Sequence, residues 1–373
     1  MTGRLKFRIF AHSWISDWNH GNAHFLRGLA NELVGLGHEV RCYEDECCWS
    51  AQHLREDEGR AVADAAMRHF KESFPALDVR FYGNDSRFAA FAEGQLQDAD
   101  VVIVHEWNDL RVIHSILALK SKCGFKALFH DTHHRSYTSP QQILRIPLHR
   151  FDGVLAFGEA IRRIYRDGFG VQRTWTLQEA ADTVHFRPLA AEKETDIVWV
   201  GNWGDEERTA ELQEFLIGPA MGMRDRKIAV YGVRYPESAL KKLALAGIEY
   251  RGYLPNLEAP RSYASSVLSV HVPRRCYANG LGGIPTIRMF EAMACGSPLI
   301  CSPWTDSEGL FRPGEDYISV PDGRAMSAEI RHLLRDDEAQ RQLARNGRET
   351  IMARHTCAHR AAKLVQICEE LGK

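Results

Sequence analysis

A single carboxylate in an apolar helix is the most chemically pointed feature of this sequence. It lies in Gly282-Gly283-Ile284-Pro285-Thr286-Ile287-Arg288-Met289-Phe290-Glu291-Ala292-Met293-Ala294-Cys295-Gly296-Ser297-Pro298. Two glycines lead into Pro285, which suits a first helical position. Gly296 and Pro298 stop the helix, and Leu299-Ile300-Cys301 reads as a short strand. From Met289 to Ser297, Glu291 is the only charged side chain. The helix is therefore apolar nearly all round and is expected to be buried. A carboxylate buried there must find donors. The helix N-terminus offers free N–H groups and a partial positive charge, which suit phosphate. The pattern fits a diphosphate at the helix start and hydroxyl groups one to two turns in. It also fits a core helix whose Glu291 pairs with Arg288.

Further polar residues recur directly after apolar runs. Lys6-Phe7-Arg8-Ile9-Phe10-Ala11 reads as a strand, and the loop after it carries Trp14, Ser16, Asp17, Trp18, Asn19, His20 and Gly21. Two tryptophans in a short polar loop suit a sugar or another flat ligand. Val101-Val102-Ile103-Val104 reads as a strand buried on both faces and ends in His105-Glu106-Trp107. Lys126-Ala127-Leu128-Phe129 ends in His130-Asp131-Thr132-His133-His134-Arg135-Ser136. Several loops thus assemble one site.

The elements that position these residues alternate. Phe25, Leu26, Leu29, Leu33 and Leu36 recur at helical spacing, Gly37 ends that helix, and Glu39-Val40-Arg41-Cys42-Tyr43 is the next strand. This strand–loop–helix–strand unit is of the doubly wound kind, without a G-x-G-x-x-G fingerprint. One strand is expected near Val79-Arg80-Phe81 and another at Gly153-Val154-Leu155-Ala156-Phe157. A stretch without clear period, Gln178 to Pro188, precedes the charged run Ala191-Glu192-Lys193-Glu194-Thr195. Alternation then restarts with strands at 196–200, 227–231 and 267–272, and Ser327 to Leu371 is mostly helical. The reading is two Rossmann-like α/β domains facing each other across a cleft. Their expected bounds are 1–185 and 186–350, with a closing helical segment, 351–373, packed back on the first.

A chain of 373 residues suits two domains, and 45 % hydrophobic with 26 % charged residues is ordinary for a globular protein. A net charge of −2 gives no general attraction to nucleic acid or anionic membrane. No apolar run is long enough to span a bilayer, and Met1-Thr2-Gly3-Arg4-Leu5-Lys6 has no apolar signal core. The nine cysteines include no C-x-x-C and no zinc spacing, so reduced thiols, no metal and a cytoplasmic location are expected.

Five phrases, in order, resemble the GT-B glycosyltransferases of family-4 type, nearest the group related to the spore-maturation protein CgeB. Leu29-Ala30-Asn31-Glu32-Leu33-Val34-Gly35-Leu36-Gly37-His38-Glu39-Val40 resembles that family's LA-x-EL-x-x-x-GHEV. Val104-His105-Glu106-Trp107 resembles its VHxHxW strand end. Glu179-Ala180-Ala181-Asp182, with Phe186 and Pro188, resembles the interdomain phrase. Arg288 to Gly296 resembles EAMAxG, and Leu333 to Leu371 resembles the closing helices.

The resemblance implies a nucleotide-activated sugar as donor, held mostly by the second domain. Glu291 would bond the ribose hydroxyls, and the N–H groups around Gly283 to Thr286 would face the diphosphate. Arg208, Arg234, Arg275 and Arg288 are the donor-side cations, Tyr253 would stack on the base, and Asn202 stands where the family often has Arg. Gly283 replaces the first glutamate of the family's E-x7-E pair. In the first domain, His130 is the expected reaction centre, with Arg135 facing donor phosphate or acceptor. Trp14, Asp17, His20 and His24 fall where acceptors bind. Retention of configuration and no required metal or cofactor are implied. Asp17, Glu106 and His24 are the candidate bases if the enzyme inverts. Two rival activities remain, a nucleotide-sugar epimerase or sugar phosphorylase and a non-catalytic GT-B binding or scaffold protein. The acceptor, a small molecule, glycan or lipid, and the oligomeric state are open. No nucleic-acid partner is expected. The basic, apolar run Ile143 to Arg150 raises weak peripheral membrane contact as a further expectation.

Overall fold

A computed structural model describes residues 3–204 and 206–372. Met1, Thr2 and Lys373, which fall within the bounds expected from sequence, lie outside the described residues. The chain divides into two compact units, Met1–Glu179 with Cys357–Lys373, and Ala180–Thr356. The sequence placed these divisions at 185/186 and 350/351.

The first unit is built on a seven-stranded sheet. Its strands are Lys6–Phe10 (β1), Glu39–Asp45 (β2), Asp78–Tyr82 (β3), Val101–His105 (β4), Lys126–Asp131 (β5), Gly153–Ala156 (β6) and Thr174–Thr176 (β7). The order is β3-β2-β1-β4-β5-β6-β7, and every neighbouring pair is parallel. β4 is buried along its whole length, as its unbroken apolar run requires in a sheet covered on both faces. The helix Ala23–Gly35 packs against Cys357–Gly372, and the Cys357 thiol approaches the Phe25 carbonyl at 3.8 Å. Arg360 donates to the Gln178 carbonyl at 2.9 Å, fastening that last helix within the unit.

The second unit has six strands, Thr195–Val200 (β8), Ile228–Tyr231 (β9), Ile248–Tyr250 (β10), Ser266–His271 (β11), Leu299–Cys301 (β12) and Ile318–Ser319 (β13). They run in the order β10-β9-β8-β11-β12-β13, all parallel. Both sheets therefore share the Rossmann order, in which the chain leaves the central strand to one side and returns to the other. Ligands of such sheets gather at the carboxyl ends of the two central strands. Those are β1 and β4 in the first unit, β8 and β11 in the second.

The sequence did not reveal β7, β10 and β13, which are three, three and two residues long. Runs that short carry no usable alternation. The helix around Glu291 spans Ile287–Ala294, so Pro285 is not its first helical residue; Thr286 is the N-cap. Its stop is as expected. Gly296 has φ +69°, and Ser297 N–H reaches back to the Ala292 carbonyl at 2.9 Å.

Gly232 is fixed by close backbone approach, since a Cβ there would lie 2.2 Å from the Gly201 carbonyl oxygen. Each of these glycines directly succeeds a strand of the second sheet, β9 and β8 respectively. Gly232→Ala is expected to destabilise the protein by roughly 1–3 kcal/mol, read as a lowered midpoint in urea unfolding.

Candidate active site

In the second unit the strand ends gather charge around one histidine. His271 ends β11 and is buried, and its Nε2 lies 3.0 Å from the Thr286 hydroxyl. Burial, reinforced by the guanidinium groups of Arg208 and Arg288, lowers its pKa to about 3. It is therefore neutral at physiological pH. Arg208 is itself buried, donates to the Asn202 carbonyl at 2.9 Å and lies over the Trp199 ring at 6.0 Å. The Asn202 side-chain oxygen accepts the Val233 N–H at 2.8 Å, tying the loops after β8 and β9 together.

Every residue of the helix Ile287–Ala294 except Arg288 is buried. Glu291 has no solvent exposure, and its Oε2 accepts from the Tyr263 hydroxyl at 3.0 Å and from Arg288 at 2.6 Å. Thr286 makes no capping bond to the helix, because its hydroxyl is turned to His271. The cluster thus presents two arginines, an uncharged imidazole and a helix N-terminus to one region, an arrangement suited to an anion.

The first unit gathers histidines instead. His105 and His130 are paired in register on β4 and β5, with ring centroids 5.5 Å apart. His12 lies 5.9 Å from His105 and 4.0 Å from His20. Burial lowers His12 and His130 to about 4 and takes His20 and His105 well below their ordinary value. Beside them, Glu106 accepts from Arg135 at 2.9 Å and from the Thr132 N–H at 3.0 Å. Asp131 accepts from the Tyr165 hydroxyl at 2.7 Å. Burial raises the pKa of both carboxyls, Glu106 further because Asp131 stands beside it. The Arg135 guanidinium sits 3.8 Å from the centre of the Trp107 ring, and Trp107 is 43 % exposed.

Residues 208–366 match the family described as Glycosyl transferase-like, and residues 20–178 match Glycosyltransferase Family 4. The chain belongs to the GT-B superfamily of glycosyltransferases. Its fold is that of solved members. Anabaena HepE in complex with UDP and glucose aligns with a TM-score of 0.70 at 12 % identity, over 97 % of this chain and 99 % of that one. An α-glucosyltransferase in complex with UDP and a 13-mer DNA containing a HMU base gives 0.72 at 12 %, over 98 % and 100 %. Sucrose-phosphate synthase from Thermosynechococcus elongatus gives 0.65 at 14 %, over 99 % of each chain. No curated protein matches the sequence.

Several residues of this glycosyltransferase stand elsewhere than their sequence context suggested. Trp14 does not face a ligand: it is 1 % exposed and its indole N–H donates to the Tyr43 carbonyl at 3.1 Å. Arg27, equally buried, holds the Trp14 and Ile15 carbonyls and pairs with Asp17 at 3.1 Å. Asp17 therefore braces the loop rather than waiting as a base. Both Glu106 oxygens are likewise occupied. Arg275 is paired with Glu211 at 2.7 Å, so its charge is partly answered. The Gly283 N–H donates to the Thr305 carbonyl at 2.8 Å and that of Ile284 to Leu281 at 3.4 Å, so neither amide faces a phosphate. Of the apolar residues in the 143–150 segment, Ile143, Ile146 and Leu148 are buried and Leu144 alone is exposed, which leaves no apolar face for a bilayer. His24 is buried at the start of the helix Ala23–Gly35. Tyr253 lies half-buried in the loop after β10, and Arg234 is exposed with a left-handed φ of +59°. Sequence reasoning missed His271, since one histidine at a strand end has no partner at a telling spacing.

Among the described residues no group of three or more His, Cys, Asp or Glu is placed to hold a metal ion, and no helix is long and apolar enough to cross a membrane.

The buried histidines carry a pH consequence. An imidazole with its folded pKa near 4 and its unfolded pKa near 6.5 takes up its proton in the unfolded state first, so stability is lost as pH falls from about 6.5 towards 4. His130→Asn removes one such group. Its thermal midpoint is expected to fall less steeply over that window than that of the wild type, measured by calorimetry at successive pH values.

Proposed function

We propose that this glycosyltransferase moves a hexose from a UDP-sugar to an acceptor hydroxyl, with retention of anomeric configuration and no required metal. We place it in the CgeB-like group its motifs resemble. The observation that carries the donor reading is the gathering of Arg208, Arg288, Thr286 and Glu291 around neutral His271 at the carboxyl end of a central strand. UDP is favoured because HepE and the α-glucosyltransferase, which share the fold, are both in complex with it.

In this reading the sugar C1–O bond to the diphosphate breaks and a C1–O bond to the acceptor forms. The acceptor's proton leaves with the departing phosphate oxygen. Arg208 and Arg288 stabilise the charge that develops on the leaving diphosphate. Glu291, already oriented by Arg288 and Tyr263, accepts from the ribose hydroxyls. Tyr253 offers a ring to the base, and Arg234 and Asn202 line the donor side. On the acceptor side, neutral His130 orients the attacking hydroxyl, while Glu106 holds Arg135 in place. His20 and His24 complete that side.

The missing first glutamate has a structural counterpart. Gly283 has φ +86°, and a Cβ on it would meet Glu308 Cγ and Ser307 Oγ at 2.7 Å. The Glu308 carboxylate comes within 3.1 Å of that same point. Glu308 thus stands in the space a side chain at 283 would enter, and it is the carboxylate we assign to the donor sugar.

Calorimetry with UDP tests the donor site. Glu291→Ala is expected to lose roughly 1.5–3 kcal/mol of affinity, as for hydrogen bonds to a charged group, and chelator should change nothing. Unchanged affinity would remove Glu291 from the site. Glu308→Gln should leave UDP binding intact and weaken UDP-hexose over UDP. Analysis of the anomeric product, with and without acceptor, separates transfer from epimerisation and from binding without turnover.

A further inference from the structure

The first unit carries polar atoms that its own fold does not satisfy. His12 Nδ1, His105 Nδ1, His130 Nε2 and Trp18 Nε1 are buried with no hydrogen-bond partner among the described residues. Native proteins rarely leave such atoms dry, so each marks a place for water or a ligand. His12 follows β1 and His105 ends β4, the central strands at whose carboxyl ends this class of sheet binds its ligands, and His130 is the last residue but one of the neighbouring β5. Being neutral, each carries one donor and one acceptor nitrogen; His105 Nε2 is taken up by the Thr132 hydroxyl at 2.8 Å, which leaves its Nδ1. A hydroxyl group, which both donates and accepts, matches either nitrogen.

The same loop reaches a second feature. Trp18, two residues before His20, packs against Trp49 at 5.1 Å and His53 at 5.0 Å. Trp49 opens the helix Trp49–Asp57 and is 43 % exposed. Ser50 accepts or donates to Ser16 at 2.8 Å and donates to the Trp18 carbonyl at 2.7 Å, locking the loop to that helix. The result is a fixed, partly open aromatic face joined through the Trp18 loop to His20, whose ring lies 4.0 Å from that of His12. The two arginines of this region are each answered by a carboxylate, Arg27 by Asp17 and Arg135 by Glu106. A phosphate-bearing acceptor would need cations, and an acyl chain would satisfy none of the ring nitrogens.

We propose that the first unit binds a neutral, unphosphorylated saccharide, its hydroxyls on the His12, His105 and His130 nitrogens and a sugar ring on Trp49. Its role as the acceptor rests on the transfer reading above.

The test titrates the full chain with maltotriose, cellotriose and chitotriose, followed by tryptophan fluorescence and saturation-transfer NMR. A short single-stranded DNA oligonucleotide and phosphatidylcholine vesicles containing phosphatidylglycerol serve as the contrasting probes. At least one trisaccharide is expected to bind, about fivefold more weakly in Trp49→Ala and about tenfold more weakly in His12→Phe. Both variants should bind UDP as the wild type does, which shows that they are folded. Binding of no trisaccharide, binding of DNA or vesicles instead, or trisaccharide binding unchanged in both variants would overturn the proposal. A wild-type protein that binds a trisaccharide but not UDP would support this site and overturn the donor reading, so the two failures are distinct.

Discussion

Desolvation of His271 is the constraint on which the proposed donor site depends. At a strand end shut off from solvent, an imidazole can be protonated only against the cost of burying its charge, and here two arginines add their repulsion. The ring therefore stays neutral and keeps its bond to Thr286. That bond holds the Thr286 hydroxyl away from its own helix, so the helix N-terminus is not closed by the residue best placed to cap it. Arg208 and Arg288 remain the positive groups, each anchored, one on the Asn202 carbonyl and one on Glu291. In the donor site we propose, burial and pairing alone would preorganise these groups for an anion.

The first unit obeys the same rule with a different outcome. Its buried charges are internally paired: Arg27 with Asp17, Arg135 with Glu106, and the Glu106 and Asp131 carboxyls pushed towards their protonated forms. The groups left over are uncharged imidazoles and aromatic rings. One parallel α/β architecture with the same strand order is thus used twice, once around Arg208 and the Arg288–Glu291 pair and once around uncharged imidazoles. The difference lies in the residues at the carboxyl ends of the strands, including His130, Asp131 and Arg135 at and just beyond the end of β5. After β8 and β11 come Asn202, Arg208 and the helix of Glu291; after β1 and β4 come the loop of His12 to His20 and Glu106 with Trp107.

Much of this was legible in the sequence because parallel strands buried on both faces must be apolar runs, and their ends are marked by the polar residues just beyond them. The helix of Glu291 was legible for a similar reason, since a lone carboxylate among Met, Phe, Ala and Cys has few explanations. The core-helix reading holds in the structure, where Glu291 is buried and paired with Arg288; the ligand reading is the one proposed above for the donor. The rest depended on tertiary contacts. Trp14 sits in a polar loop by sequence, but Arg27 draws that loop inward and buries the ring. Nothing local distinguishes Asp17 as a partner for a residue on the next helix. The Gly283 amide is taken by Thr305, which arrives from a distant segment. His271 and Glu308 owe their places to the meeting of segments far apart in the chain, which no spacing records.

The claim that anchored arginines beside a neutral imidazole hold a diphosphate is tested most directly by the affinity of UDP relative to uridine. The ratio isolates the contribution of the two phosphates. Calorimetry should show UDP binding far more tightly than uridine in the wild type, with that ratio falling by at least about tenfold in Arg208→Met while uridine affinity stays the same. Equal affinities for UDP and uridine, or a ratio that Arg208→Met leaves untouched, would contradict the account.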